Sequence, residues 1–358
     1  MRTKLFWLGL LTAVLFIATA CQPTPAVDNE DSAVEGAPSA STETSEQNRL
    51  VIYSGRSESL VAPIIEQFSA ETGIEVEVRY GNTAELAATL LEEGENSPAD
   101  LFYAQDPGGL GALADQGLFA PVPAEILGRV PERFQASDGN WIGISGRARV
   151  IAYNTDNVTE ADLPQNLQDL TDPKWQGRIG WAPTNGSFQA MLTGMRTIWG
   201  EEATRAWLEG IIANDPVVYP NNTSIVEGLG KAEIDVGLVN HYYLFRFLAE
   251  EGDAFPVRNY FLPAGDPGSL IMVSGAGILN TADNPGSAAA FLDYMTTAEA
   301  QQYFANETYE YPLVEGVSTS DQLTPLAELD AIAVDIPLSA MADLAGTAAL
   351  LSELGLLE

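Results

Sequence analysis

The residues with the most chemistry in them are Asn240-His241-Tyr242-Tyr243, four adjacent polar side chains directly after the apolar run Val236 to Val239. A short buried strand ending in such a cluster puts functional groups where α/β proteins build their sites, beyond the carboxyl end of a strand. Two adjacent tyrosines on a turn into a helix can both face one cleft. A phenolate is a basic, hard oxygen donor that normally keeps its proton near neutral pH. Only a strongly charged hard cation displaces that proton, and Fe(III) is the commonest biological candidate. The plainer reading is a pair of packed rings with the hydroxyls turned outward.

The rest of the composition narrows the field. His241 is the only histidine and Cys21 the only cysteine, so multi-histidine, thiolate and disulfide sites are all excluded from the folded part. A single histidine without a nucleophile motif nearby gives no Ser-His-Asp arrangement. No Gly-rich phosphate loop with lysine is present, and Gly275-Ala276-Gly277 is too short to count as a dinucleotide motif. The sequence therefore reads as a non-enzyme. With 50 acidic residues against 16 lysines and arginines, the net charge of -34 argues against binding nucleic acid or anionic lipid surfaces. That charge would attract cations, but it is first of all that of a highly soluble or salt-adapted exported protein, so charge alone does not argue for a metal.

Two further clusters favour an anion. Asn185-Gly186-Ser187 precedes a helical pattern, and Asn222 lies in Asn221-Asn222-Thr223-Ser224 before another. Backbone N–H groups at a helix start attract negative charge, although both stretches also read as ordinary N-caps. Arg56, Arg147 and Arg149 sit at turns and strand ends, where a guanidinium can clamp an anion or pair with surface carboxylates.

The elements that must position these groups alternate. Leu50 to Tyr53, Ile74 to Tyr80 and Ala99 to Tyr103 read as strands, with helical periods over Leu60 to Phe68 and through Leu86, Leu90 and Leu91. Val150 to Tyr153, Arg178 to Trp181 and Val236 to Val239 read as further strands. Phe188 to Trp199, Glu201 to Ile212, Ala288 to Met295, Glu299 to Phe304 and Met341 to Leu354 read as helices. This order predicts two α/β lobes with largely parallel sheets and no internal repeat.

The N-terminus is an address. Arg2 and Lys4 precede an uncharged run from Leu5 to Ala20, closed by small residues before Cys21. That is a secretory signal peptide over 1–21, with Cys21 placed for lipidation. Residues 22–48, rich in Pro, Ser, Thr, Glu and Ala, read as a disordered tether.

In this order along the chain, seven motifs resemble the ferric-ion-binding proteins of bacterial ABC iron importers. They are Val51-Ile52-Tyr53-Ser54-Gly55-Arg56, Glu71-Thr72-Gly73-Ile74, Pro98 to Tyr103, Trp141-Ile142-Gly143 through Ser145-Gly146-Arg147, Asp172 to Gly180, Asn240 to Tyr243, and Asp266-Pro267-Gly268. The resemblance implies the type II periplasmic-binding-protein fold, two lobes closing on a central cleft about a hinge of crossover strands near Arg147 and Val273. Lobe 1 would comprise 49–146 and 273–320, and lobe 2 would comprise 147–272 and 321–358. It also implies a monomer that delivers its cargo to a membrane permease; with a lipid on Cys21 the exported protein would be periplasmic or at the outer face of the cytoplasmic membrane.

The resemblance further implies Tyr242, Tyr243 and Tyr153 as iron-ligating phenolates, and carbonate or phosphate as synergistic anion. Arg56, Ser57, Arg147, Asn185, Gly186, Ser187 and Asn222 sit at positions matching the anion site. Asn240, His241 and Gln105 would support the ligands from behind. Many relatives carry His where this chain has Ser57, and some carry Glu where it has Gln105, so coordination should lean on the second lobe. The same fold binding a phosphonate, an organic phosphate or another small anion is the alternative.

Overall fold

The computed structural model describes residues 48–357 apart from residues 264 and 335. The expected signal peptide, Cys21 and nearly all of the expected tether lie outside the described residues.

The first strands are β1 (Arg49–Ser54), β2 (Glu75–Tyr80) and β3 (Leu101–Ala104), followed by the long β4 (Ile142–Asn154). Then come β5 (Ile179–Trp181), β6 (Val217–Val218), β7 (Val236–Asn240), β8 (Val257–Tyr260), β9 (Ile271–Ile278) and β10 (Tyr311–Pro312). The helices before β4 are α1 (Glu58–Thr72), α2 (Thr83–Glu93), α3 (Pro107–Asp115) and α4 (Ala124–Leu127). Those between β5 and β8 are α5 (Gly186–Trp199), α6 (Glu201–Ala213), α7 (Asn222–Gly230) and α8 (Tyr243–Glu251). The last are α9 (Pro285–Met295), α10 (Ala298–Tyr303), α11 (Leu326–Ile332) and α12 (Leu344–Glu353).

Local rules account for most of these elements. In α1, Leu60, Val61, Ile64, Ile65 and Phe68 form one buried stripe, and Gly73 stops the helix in the left-handed region at φ 71°. Asn82 caps α2 by accepting the Ala84 N–H, as its sequence position suggests. β2 alternates exposed and half-buried residues because it lies at the edge of the sheet, whereas all 13 residues of β4 are buried because β4 is central.

The strands form one sheet in the order β2-β1-β3-β9-β4-β7-β5-β6, with β8 and β10 also pairing with β4. The expectation of largely parallel pairing holds for β1 with β2 and β3, and for β5 with β6 and β7. It fails at the centre, where β4 and β9 run antiparallel to every neighbour. The reason is that β4 is read too short in the sequence: Val150 to Tyr153 is only its final part. Residues Ile142 to Ala148 of β4 pair with β9, and Arg149 to Asn154 pair with β7 and β8. A single strand thus serves two groups of helices and changes partners between Ala148 and Arg149.

The C-terminal helix begins at Leu344, three residues later than the apolar pattern suggests, after a 3-10 turn over Leu338–Met341. This segment packs on both α3 and α5. A Cβ added at Gly108 would meet Leu344 and one at Gly111 would meet Ala342, while Arg196 of α5 pairs with Asp343. Among the described residues no helix is long and apolar enough to cross a membrane.

Candidate functional site

β7 is buried throughout and delivers Asn240 at its carboxyl end, with Tyr242 and Tyr243 on the turn into α8. Asn240 ties three elements together. Its backbone N–H donates to Asn222 Oδ1 (3.1 Å), its Nδ2 donates to Ser187 Oγ (3.1 Å), and its Oδ1 accepts from an Arg149 Nη (3.0 Å). These bonds fix the starts of α5 and α7 beside the tyrosines. The two phenol rings stack at 4.3 Å with planes 28° apart, and Tyr242 is fully buried.

The opposite wall comes from the carboxyl ends of β1 and β3. Arg56 donates to Gln105 Oε1 at 3.1 Å, and Gln105 Nε2 reaches the Tyr242 hydroxyl at 3.5 Å. Glu310, just before β10, binds Arg56 at 2.5 Å and lies 3.7 Å from Arg147, with all three side chains fully buried. Arg147 has no hydrogen-bond partner in the protein for any of its three nitrogens, and Arg149 lacks one for two of its own. Asp106, the N-cap of α3, spends Oδ1 on the Gly108 N–H, and its buried Oδ2 has no partner. That oxygen sits 3.2 Å from where a Cβ on Gly186 would be, at the first residue of α5.

Burial sets the electrostatics. It pushes the Arg149 guanidinium down to about 9, with Arg147 adding like-charge repulsion against the opposing pull of the phenols. Arg56 suffers the same desolvation, but Glu310 and the phenols of Tyr103, Tyr242 and Tyr243 outweigh it and hold the group firmly charged. Burial, then Tyr242, raises the Tyr243 hydroxyl well above the usual phenol range, so it is protonated near neutral pH. Burial also raises the Asp106 carboxyl to about 6, although Arg147 and the Gly108 and Gly109 N–H groups pull the other way.

The expected site residues divide into two groups. Tyr242, Tyr243, Asn240, Gln105, Arg56, Arg147, Ser187 and Asn222 are brought together and buried. Asn185 and Gly186 stand at the start of α5, where the Asn185 side chain accepts the Ser187 and Phe188 N–H groups as a helix cap. Tyr153 is not brought to the pair. It lies opposite Val236 at the far end of β7, whereas Arg149 lies opposite Asn240, a displacement of about 13 Å at ~3.3 Å per strand residue. Its hydroxyl is raised by burial and by Glu160, a neighbour remote from the tyrosine pair in sequence. Ser57 is exposed at the start of α1.

His241 supports the site by a different route from the one expected. Its Nδ1 accepts the Ala148 N–H (3.2 Å), its Nε2 meets the Tyr309 carbonyl (2.9 Å), and its ring stacks on Tyr311. Accepting at Nδ1 leaves the proton on Nε2 to donate. Burial depresses its pKa to about 3, so it clasps β4 to the segment carrying Glu310 as a neutral ring. It also borders a separate cavity of about 270 Å³, lined in part by Phe245, Phe261 and Tyr311, which neither Tyr242 nor Tyr243 touches.

Sequence reasoning misses Glu310 and Asp106. Glu310 is 254 positions from Arg56, and nothing local marks one carboxylate among 50. Asp106-Pro107 at the end of a strand is a helix-start signal that points to the right place. Among the described residues no group of three or more His, Cys, Asp or Glu side chains is placed to hold a metal ion.

An α/β chain with one strand shared between two helix groups, and a polar site at converging strand ends, has the architecture of a type II periplasmic binding protein. Residues 96–332 match the family of bacterial extracellular solute-binding proteins. The Fe(3+)-binding periplasmic protein of Serratia marcescens is 34% identical over 288 residues, covering 80% of this chain and 85% of the relative. The crystal structure of iron-bound HitA from Pseudomonas aeruginosa superposes with a TM-score of 0.81 at 34% identity, covering 86% of this chain and 99% of that one. A Trichodesmium protein in complex with iron and citrate superposes at 0.72 with 27% identity, covering 86% and 99%. The chain belongs to the ferric-ion-binding family of extracellular solute-binding proteins, and it is a solute-binding protein rather than an enzyme.

Proposed function

We propose that this protein is the exported binding component of an ABC importer, and that it takes up Fe(III) through the phenolate oxygens of Tyr242 and Tyr243 with a synergistic anion. The observation that carries this reading is the pair of buried, stacked phenols beside guanidinium groups with buried nitrogens that lack hydrogen-bond partners. Fe(III) displaces both phenol protons, and the phenolates then offset part of its charge. Arg56 and Arg147 ease this by favouring the charged form of Tyr243. With Arg149 also present, the loaded site stays net positive, and carbonate, phosphate or a carboxylate such as citrate completes it. Ser187, Asn222 and the start of α5 at Asn185 and Gly186 border the same space. Tyr153 is outside the ligand set because its register on β4 carries it to the far end of β7.

The two lobes would be 49–146 with 273–320, and 147–272 with 321–358, moving about β4 and β9 near Arg147 and Val273. The contacts of Gln105 with Tyr242 and of Asp106 with Gly186 join these lobes and belong to the closed form. Closure presents the loaded protein, as a monomer tethered through a lipid on Cys21, to a permease in the cytoplasmic membrane.

Titrating tether-truncated apo protein with ferric citrate, with and without bicarbonate, tests the reading. A saturating phenolate-to-iron band in the visible, near one iron per chain, is the expected result. A colourless solution that is nonetheless stabilised by phosphonates or organic phosphates would replace iron with a small anionic solute in the same cleft.

A further inference from the structure

The buried donors and acceptors left over in the cleft are not all of one kind. Arg147 offers three unpartnered nitrogens and Arg149 two, which is the environment of an oxyanion. Beside them is Asp106 Oδ2, an acceptor of negative charge with no donor, at 1% residue exposure. A fully deprotonated oxyanion placed among the arginines would meet this oxygen with lone pairs only. An unpaired buried carboxylate oxygen against a second anion is costly, and a donor between them removes the cost.

We propose that Asp106 makes the cleft selective for oxyanions that carry an O–H group, such as hydrogen carbonate, hydrogen phosphate or a hydroxycarboxylate, over aprotic ones such as sulfate and nitrate. The anion's oxygens accept from the guanidinium groups while its own hydroxyl donates to Asp106 Oδ2. This rests on the anion site of the proposed function and adds the rule by which it chooses. The geometry is suited to it. Asp106 Oδ1 is fixed by the Gly108 N–H, which aims Oδ2 across at Gly186, and Gly186 has no side chain to block the approach. Arg147 lies within electrostatic reach of Asp106 and favours its ionised, accepting form. Burial favours the protonated form of Asp106 and Arg147 opposes it, so Arg147 both binds the anion and favours the accepting state of the selector.

Hydrogen phosphate and sulfate test this directly, because they share shape and charge near neutral pH and differ by one proton. Calorimetric titration of the apo protein with each should show inorganic phosphate binding at least ~10-fold tighter than sulfate, the equivalent of one charge-assisted hydrogen bond. Asp106→Asn keeps the helix cap through its carbonyl oxygen and presents an N–H donor to the cleft. It should weaken phosphate and strengthen sulfate, bringing the ratio to one or below. Equal affinities in the wild-type protein, or a ratio unmoved by Asp106→Asn, would overturn the proposal. The visible band with ferric citrate is recorded on the same samples. Its absence alongside an intact phosphate preference would remove the iron reading and leave the selectivity rule standing.

Discussion

The wall built from the ends of β1 and β3 and the wall built from the end of β7 differ in what they offer. The first presents charge: Arg56, held by Gln105 and Glu310, and Asp106, whose Oδ2 faces Gly186. The second presents oxygen and amide groups: two phenols, with Asn222 and Asn240 accepting from Arg149 and Ser187 accepting from Asn240. In the proposed function, one wall would supply the ligands and the other the field that makes phenolates and an anion acceptable in a buried site. Glu310 is what lets the charged wall exist, because two guanidinium groups buried without a carboxylate would repel one another and find no compensation.

The largest test of that division is Glu310→Gln. It leaves Arg56 charged and without its buried counter-ion, and removal of one partner from a buried pair costs about 3–5 kcal/mol. Chemical denaturation should show a loss of that size. An unchanged midpoint would mean that the guanidinium groups are neutralised by something other than Glu310.

Next in size is the double change Tyr242→Phe with Tyr243→Phe. Losing groups that merely support a ligand costs metal sites about 10–100-fold, so losing both proposed ligands should cost more than ~100-fold and abolish the visible band. Ferric citrate competition reads the affinity. Retention of tight iron binding would move the ligands to the charged wall.

His241 gives a pH test of the clasp between the walls. Its folded pKa of about 3 lies below its ordinary value, so its contribution to stability is complete above pH 6.5 and is lost as pH falls towards 3. Between pH 7 and pH 5 the unfolded imidazole takes up a proton that the buried ring refuses, a loss of about 2 kcal/mol. Urea denaturation at both pH values should show it, and His241→Asn should remove that part of the slope.

The smallest effects belong to the residues set apart from the pair. Tyr153→Phe and Ser57→Ala should each change iron affinity by less than ~2-fold and leave the band in place, since one hydroxyl is remote and the other exposed. A large loss from Tyr153→Phe would show that the far end of β4 approaches the metal in a state other than the closed one.

The site is partly legible in the sequence. Asn240 to Tyr243 stand out because a buried strand runs straight into them, and the residues next to a strand end are placed by local sequence. Arg56 is legible for the same reason, lying within two residues of a strand end, whereas Gln105 comes only from the family resemblance. Glu310 gives no sign, because its meaning comes only from the arginines it meets across the sheet. Tyr153 misleads in the opposite sense: it shares a strand with Arg149, but strand position alone does not tell which end faces the cleft.

What the sequence by itself determined is therefore the local chemistry. It placed the alternating α/β elements, their caps and stops, the phenol pair, the anion-friendly helix starts, and the lack of any histidine or thiolate alternative. The pairing of strands that are distant in the chain was left to the tertiary structure. That pairing set β4 antiparallel between β9 and β7, carried Arg147 to Glu310 and Asp106 to Gly186, and turned His241 from the cleft to the backbone of Ala148 and Tyr309. The physical reason is range. Periodicity and capping act over a few residues, whereas a buried charge is defined by whichever partner the folded chain brings within a few ångströms of it.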